Sequence, residues 1–122
     1  MLLGGEGDDI LYGGDGLDNL YGQEGADTFI FESVSAYNNR DNIRDFSLAE
    51  NDKIDLSDLL AGYDPLSDLI TDFVQITDNG THSYVAVDAD GGSDNFQQVA
   101  QIISTTGLTD EANLEANGNL IV

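Results

Sequence analysis

Three aspartates, Asp9, Asp18 and Asp27, recur every nine residues, and each is followed two residues later by a large apolar side chain, Leu11, Leu20 or Phe29. The segments are Gly4-Gly5-Glu6-Gly7-Asp8-Asp9-Ile10-Leu11-Tyr12, Gly13-Gly14-Asp15-Gly16-Leu17-Asp18-Asn19-Leu20-Tyr21 and Gly22-Gln23-Glu24-Gly25-Ala26-Asp27-Thr28-Phe29-Ile30. Against the pattern G-G-x-G-x-D-x-U-x, with U a large apolar residue, fourteen of fifteen defined positions match, and Gln23 alone departs. Leu2 carries the apolar series back by a further nine, so the chain is expected to begin inside an earlier repeat of a longer protein.

Carboxylates and main-chain carbonyls are hard oxygen donors, and glycine permits the positive-φ backbone that lets such oxygens converge in a tight turn. Calcium takes six to eight oxygens at about 2.3 to 2.6 Å, which makes calcium binding the chemistry of this pattern. Zinc is a poor fit for a chain with one His and no Cys. A flexible glycine linker explains the glycines, but not an acid and an apolar residue held in register.

To position those oxygens, each nonapeptide divides into a six-residue turn and a three-residue strand whose central side chain points inward. Two nonapeptides make one coil of a flattened parallel roll, and each turn lies over the turn 18 residues earlier. Successive turns then fall on opposite edges, so Asp9 is expected to meet Asp27 and not Asp18.

The rest of the composition agrees. The 122 residues, 40% hydrophobic, suit one folding unit, and the net charge of −21 makes a compact chain repel itself unless cations bind. The three bases, Arg40, Arg44 and Lys53, form no patch able to release counterions from nucleic acid or an anionic membrane. The recurring apolar residues argue against disorder throughout. No apolar run is long enough for a membrane span, and Met1-Leu2-Leu3-Gly4 lacks the basic region and apolar core of an ordinary amino-terminal signal.

Beyond residue 31 the sequence reads as a polar loop, then a strand-like stretch at 41–46 followed by the segment 51–57, and predicts short helical turns at Asp58 to Ala61, capped by Ser57, and after Asp64-Pro65. Alternation places Val74 and Ile76 on one face and Val85 and Val87 on another, with Asn79-Gly80 as a hairpin signal between them. The stretch 96–103 has a period that fits either a strand or a helix and leans to a strand, while Thr109-Asp110-Glu111 reads as a helix start and 119–122 as a final strand. His82 is expected on a strand surface, and Asp52 and Asp55 could cap or ligate, with capping or a pairing with Lys53 or Arg44 favoured.

The repeats resemble the RTX nonapeptide family of secreted bacterial proteins. The likeness extends to Ala26-Asp27-Thr28-Phe29-Ile30-Phe31, Asp41-Asn42-Ile43-Arg44-Asp45-Phe46 and Asp52-Lys53-Ile54-Asp55-Leu56-Ser57, which are similar to the segment after the last repeats in that family. Val85 to Asp90 and Ala116-Asn117-Gly118-Asn119-Leu120-Ile121-Val122 are similar to the carboxy-terminal target domain of large RTX adhesins exported by type I secretion. The resemblance implies an all-β fold: a short calcium-bound parallel β-roll over residues 1–31, running into a carboxy-terminal β-sandwich-like cap with short helical turns over 32–122.

It further implies calcium-driven folding outside a Gram-negative cell and an uncleaved carboxy-terminal secretion signal. The implied partners are calcium ions, an ABC exporter and its outer-membrane channel, with no nucleic acid, no stable membrane insertion and a monomeric state. Carried over by position, one complete site takes Gly4, Glu6 and Asp9 below and Gln23, Gly25 and Asp27 above. Gly13, Asp15 and Asp18 form half of a second site, which Asp41 or Asp45 could complete. Gly5 and Gly7 form the upper half of a third, whose lower half would precede Met1. Asp88, Asp90 and Asp94 form an oxygen cluster without EF-hand spacing, and a solvated turn is the simpler reading.

No nucleophile paired with a histidine, no G-x-S-x-G and no H-E-x-x-H occurs, so the chain reads as a non-enzymatic module, an adhesin end in the first instance. The alternatives are the carboxy-terminal domain of a secreted protease or lipase, or a surface-binding or ligand-binding module.

Overall fold

In a computed structural model of the chain, the described residues are 2–13, 17–32, 40–60, 62–64, 66–88, 91 and 96–122. Four two- or three-residue strands come first: β1 (Leu2–Leu3), β2 (Ile10–Tyr12), β3 (Asn19–Tyr21) and β4 (Thr28–Ile30). They pair in parallel at an offset of 18, Leu2 with Leu20 and Ile10 with Thr28, so alternate strands build two facing sheets. The central residues Leu11, Leu20 and Phe29 are buried between the sheets. Two nonapeptides per coil therefore describe the backbone.

The coil continues past the repeats with longer turns. Strand β5 (Asp41–Ile43) adds to β3 with Leu20 opposite Ile43, and β6 (Lys53–Asp55) adds to β4 with Phe29 opposite Ile54. Strands β7 (Val74–Asp78), β8 (Ser83–Val87) and β9 (Gln97–Ile102) complete one sheet in the order β1-β3-β5-β9-β8-β7. Strand β10 (Leu120–Ile121) completes the other in the order β10-β6-β4-β2. The cap is thus an extension of the roll's own two sheets: β9 joins β5 in parallel, and β10 joins β6 in parallel.

One core runs through roll and cap. Phe29 packs 6.3 Å from Phe46, and Ile43 and Ile102 lie fully buried beside Leu20. Val74 and Ile76 alternate as expected, but pairing with Val87 and Val85 puts all four on the same inward face and not on two. A 3-10 turn spans Ser57–Leu59, and two short helices, α1 (Ile70–Phe73) and α2 (Glu111–Ala116), cover the cap. Asp110 caps α2 by accepting the Asn113 N–H at 3.1 Å, and Asp64 accepts the Leu66 N–H at the turn after it.

Ser57 differs from expectation. It is the first residue of its turn rather than the cap, and its N–H and hydroxyl both donate to Asp55. His82 is also not a free strand residue, because its Nδ1 accepts the Ser104 N–H at 2.8 Å across the β8–β9 end.

Truncating the central aromatic should unfold much of this core. Phe29→Ala removes a fully buried ring and is expected to cost about 3 to 5 kcal/mol in saturating calcium. Leu66→Ala, at a side chain 95% exposed, should stay within about 0.5 kcal/mol. Denaturant unfolding of the two variants checks the contrast.

Candidate metal centre

The turn at residues 4–9 lies beneath the turn at 22–27, and glycine makes this close stacking possible. Gly5, Gly7 and Gly25 have φ of 100°, 96° and 119°, in the region that disfavours side chains. Gly25 sits against the Gly7 carbonyl with no room for a Cβ, and a Cβ on Gly4 would come within 2.7 Å of the Gly22 carbonyl oxygen. Gln23 adopts φ of 72° where the pattern has glycine, a conformation that costs about 1 kcal/mol for a residue with a side chain.

Aspartates tie the layers together. The Asp9 N–H donates to Asp27 Oδ1 at 2.9 Å, and the Asp27 N–H donates to Asp52 Oδ1 at 2.9 Å, so Asp9, Asp27 and Asp52 form a ladder up one edge. The Ala26 N–H reaches down to Asp8 Oδ1, also at 2.9 Å. On the opposite edge the Asp18 N–H donates to Asp41 Oδ1 at 2.9 Å, and the other Asp41 oxygen presses against Gly13. Asp9 stacks with Asp27, and Asp18 lies on the other edge.

In this arrangement Oδ2 of Asp9, Asp18 and Asp27 is buried without a hydrogen-bond partner. These are the aspartates of the three repeats. A buried anionic oxygen with no partner costs several kcal/mol unless a cation meets it, and none of the three bases is paired with them in the structure. The carboxyl groups respond accordingly. Burial raises Asp41 from 3.8 to about 6, opposed by the Asp18 N–H and assisted by the Asp18 charge. Burial likewise raises Asp27 and Asp52, opposed by the Asp9 N–H at Asp27 and by those of Asp27 and Ser47 at Asp52.

The donor set fits a hard divalent cation. Among the described residues no three His, Cys, Asp or Glu side chains converge, so an ion here must draw most of its six to eight oxygens from backbone carbonyls. Glycine-lined turns with one or two carboxylates per layer provide that type of site.

The expected residues divide between two edges. Gly4, Gly5, Glu6, Gly7 and Asp9 occupy the lower turn of one edge, with Gln23, Gly25 and Asp27 directly above them. Gly13 and Asp18 lie on the other edge with Asp41, while Asp15 falls outside the described residues. Of the two residues that could complete the Asp18 half, Asp41 does meet it. Asp45 instead accepts the Gly22 and Gln23 N–H groups at 2.9 and 2.8 Å on the opposite edge. Asp52 is neither a cap nor a partner of Lys53 or Arg44. It is fully buried, and its second oxygen accepts the Ser47 N–H at 2.8 Å. Asp88 is buried, and Asp90 and Asp94 lie outside the described residues.

Known proteins are similar to this chain in sequence and fold. Residues 1–31 match the family model described as RTX calcium-binding nonapeptide repeat (4 copies), so these repeats are calcium-binding. The C-terminal domain (RV) of MpAFP, known from a crystal structure, is 36% identical with a TM-score of 0.58, over 85% of this chain and 76% of that one. The AlgE6R3 subunit of the Azotobacter vinelandii mannuronan C5-epimerase, known in solution, is 30% identical with a TM-score of 0.55, over 98% of this chain and 66% of that one. No curated protein sequence matches the chain.

Two outcomes are expected of the carboxylates. Asp9→Asn and Asp27→Asn should each remove the same bound ion, and the double variant should cost clearly less than the sum, as for residues that share a partner. Asp18→Asn should add independently to either one. Calorimetric ion counts on the wild type, the three single variants and the three double variants decide this, and coupling of Asp9 to Asp18 without Asp27 contradicts the stacking. The second outcome concerns pH. A carboxyl raised to about 6 holds its proton more tightly in the folded chain than in the unfolded one, so its ionisation opposes folding as pH rises, unless calcium replaces the proton. Calcium and protons then compete from about pH 6 downward, well above the ordinary Asp value of about 3.9. Because the proton stabilises the folded chain relative to the unfolded one in that range, the calcium concentration at the folding midpoint should fall as pH is lowered from about 7 toward about 5, and a rising midpoint would contradict it.

Proposed function

We propose, for a chain that belongs to the RTX calcium-binding nonapeptide-repeat family, a module that folds when it meets calcium outside the cell and carries the uncleaved type I secretion signal of a larger extracellular protein. The observation that carries this reading is the row of buried, unpartnered Oδ2 atoms at Asp9, Asp18 and Asp27. Calcium would be held between layers by Asp9 and Asp27 with the carbonyls of Gly4, Glu6, Gln23 and Gly25. A second ion would be held by Asp18 and Asp41 with the carbonyls of Gly13 and Asp15, and Gly5 and Gly7 would face an ion from a preceding layer. The ion supplies the positive charge that the sequence lacks, and the chain's own residues supply the stacked turns.

The tail supports the link between folding and export. Strand β10 pairs with β6, the Leu56 N–H donates to the Ile121 carbonyl at 2.8 Å, and the Asn119 side chain donates to the Asp52 carbonyl at 2.8 Å. The last residues are therefore seated on the layer that sits over Asp27. A secretion signal at 109–122 would be free in the calcium-free chain and docked in the calcium-bound one. We assign the module to the end of a cell-surface adhesin of a Gram-negative bacterium, acting as a monomer and without catalysis of its own. The likeness to a subunit of an epimerase favours the end of a secreted enzyme as the second reading.

Export and folding test this together. Far-ultraviolet circular dichroism should change from coil-like to β-rich at calcium concentrations of roughly 10⁻⁴ to 10⁻³ M, with no rescue by equal magnesium, which demands stricter octahedral geometry. Removing residues 109–122 should retain the protein in cells that carry a cognate ABC exporter. Full folding in excess chelator, or undiminished export of the truncated chain, would refute the corresponding half of the proposal.

A further inference from the structure

Among the described residues four strands end the two sheets: β1 and β7 in the six-stranded sheet, β10 and β2 in the four-stranded one. Three of them are two or three residues long, while β7 runs over five, Val74-Gln75-Ile76-Thr77-Asp78. Its β-branched residues favour a strand. No lysine, proline or glycine blunts it, and its one acid stands at the end. An edge of this kind is a template on which another strand builds.

The ladder fixes which backbone groups that edge presents. The Phe73 carbonyl accepts the Asp88 N–H and the Asn79 N–H donates to the His82 carbonyl, so positions 73 and 79 face the β8 side. Hydrogen-bonding direction alternates along an antiparallel strand. Gln75 and Thr77 therefore also bond toward β8, and the backbone groups of Val74, Ile76 and Asp78 point away from the sheet. Among the described residues no strand pairs with them there. Two of these outward N–H groups are nevertheless taken. The Val74 N–H donates to the Ile70 carbonyl, the closing bond of α1. The Ile76 N–H, at the centre of the edge, donates at 2.7 Å to Oε1 of Glu111, 35 residues away in the first turn of α2. Glu111 is only 8% exposed, a costly place for a carboxylate. The same tail closes the other sheet, because the Asn119 N–H bonds the Leu114 carbonyl at the end of α2 and β10 then pairs with β6.

We propose that the outer edge of β7 is a pairing surface for a second copy of this chain, and that Glu111 keeps it closed in the folded monomer. A second β7 fits the edge antiparallel about a two-fold axis at Ile76, which sets Val74 of each copy opposite Asp78 of the other. The two Asp78 side chains then stand about 14 Å apart along the strands, so no like charges meet within the pair. Both copies use the same edge, and the two-fold closes the assembly without leaving a new one. An occupied Ile76 N–H withdraws the donor at the centre of that pairing, and α2 stands where the second strand would lie. The net charge of −21 adds a general repulsion between copies, but it does not single out this edge. A chain whose tail is undocked has no guard on β7, so docking of residues 111–121 completes the fold and isolates it from its own copies.

The test uses the whole chain in saturating calcium and about 0.15 M salt, with folding of every variant verified by circular dichroism and mass read by sedimentation over a range of concentrations. The wild type should be a monomer. Glu111→Leu, which keeps a side chain of similar size but removes the acceptor, should form a concentration-dependent dimer. Glu111→Gln should stay monomeric, because its carboxamide oxygen still accepts the Ile76 N–H. Adding Asp78→Pro to Glu111→Leu should restore the monomer, since proline removes an outward N–H that the ladder to β8 does not use. A monomeric Glu111→Leu chain, a dimer of the Glu111→Gln chain, or a Glu111→Leu dimer that persists with Asp78→Pro would each overturn the proposal, the last because the contact would then be exposed apolar surface and not the strand edge. Where Glu111→Leu does not fold, Glu111→Asp, one methylene too short for the bond, takes its place with the same expectations. Hydrogen exchange in the wild type is a further check: the Ile76 amide should be as slow as those of Gln75 and Thr77, and exchange at the rate of an open edge contradicts the guard.

Discussion

The fold depends on carboxylates that hydrogen-bond to the backbone of the layer beneath. The Asp9 N–H donates to Asp27 Oδ1, which leaves Asp27 Oδ2 buried without a partner, while the Asp27 and Ser47 N–H groups take both oxygens of Asp52. A hydrogen bond of this type is stronger than a neutral one, but it cannot offset the desolvation of a whole charge. Stacking more layers adds more such charges on each edge, and the sequence provides no lysine or arginine to answer them. Divalent cations resolve the conflict by entering the same turns that create it. That the repeats bind calcium is therefore a condition of their architecture, because the side chains that set the layer spacing are also the ones that need the charge.

From that constraint the rest follows outward. Turns tied edge to edge hold three-residue strands in parallel register, and the register aims Leu11, Leu20 and Phe29 into one interior. Three repeats alone enclose too little apolar surface to be stable as a unit. The cap enlarges the interior without starting a new one, since β5 and β6 form a further layer on which β9 and β10 build. Asp52 belongs to both regions. Its carboxylate receives the Asp27 and Ser47 N–H groups, while its carbonyl accepts from Asn119, three residues from the end of the chain.

The parts legible in the sequence were those governed by short-range periodicity. A nine-residue period fixes the 18-residue stacking offset of Asp9 on Asp27, and two-residue alternation fixes the hairpin of Val74–Asp78 with Ser83–Val87. The helix start at Thr109-Asp110-Glu111 was readable because such signals are local, and the structure makes Asp110 its cap. Asp41, Asp45 and Asp52 were harder. Asp41 stacks 23 residues above Asp18 and Asp52 stacks 25 above Asp27, so turn insertions had broken the period before these residues were reached. Their spacing from the repeats carries no signature, and Asp52 beside Lys53 looks in sequence like half of an ion pair.

This distribution of information bears on how such a chain could be controlled. Local signals write the turns and strands, and on the proposed reading calcium from outside the chain adds the free energy that holds them, RT ln(1 + [L]/Kd) for each site. With dissociation constants of roughly 10⁻⁴ to 10⁻³ M, typical of extracellular modules, that contribution is near zero at cytosolic calcium and substantial outside. Because the tail pairs with β6 on the layer above Asp27, calcium bound at the repeats is coupled through one continuous sheet to the burial of Leu120. On the proposed route of export, the same coupling would keep the carboxy-terminal residues accessible while the chain must remain unfolded. It would then withdraw them once the ions have bound, and no step beyond the change in calcium concentration is needed to give the process its direction.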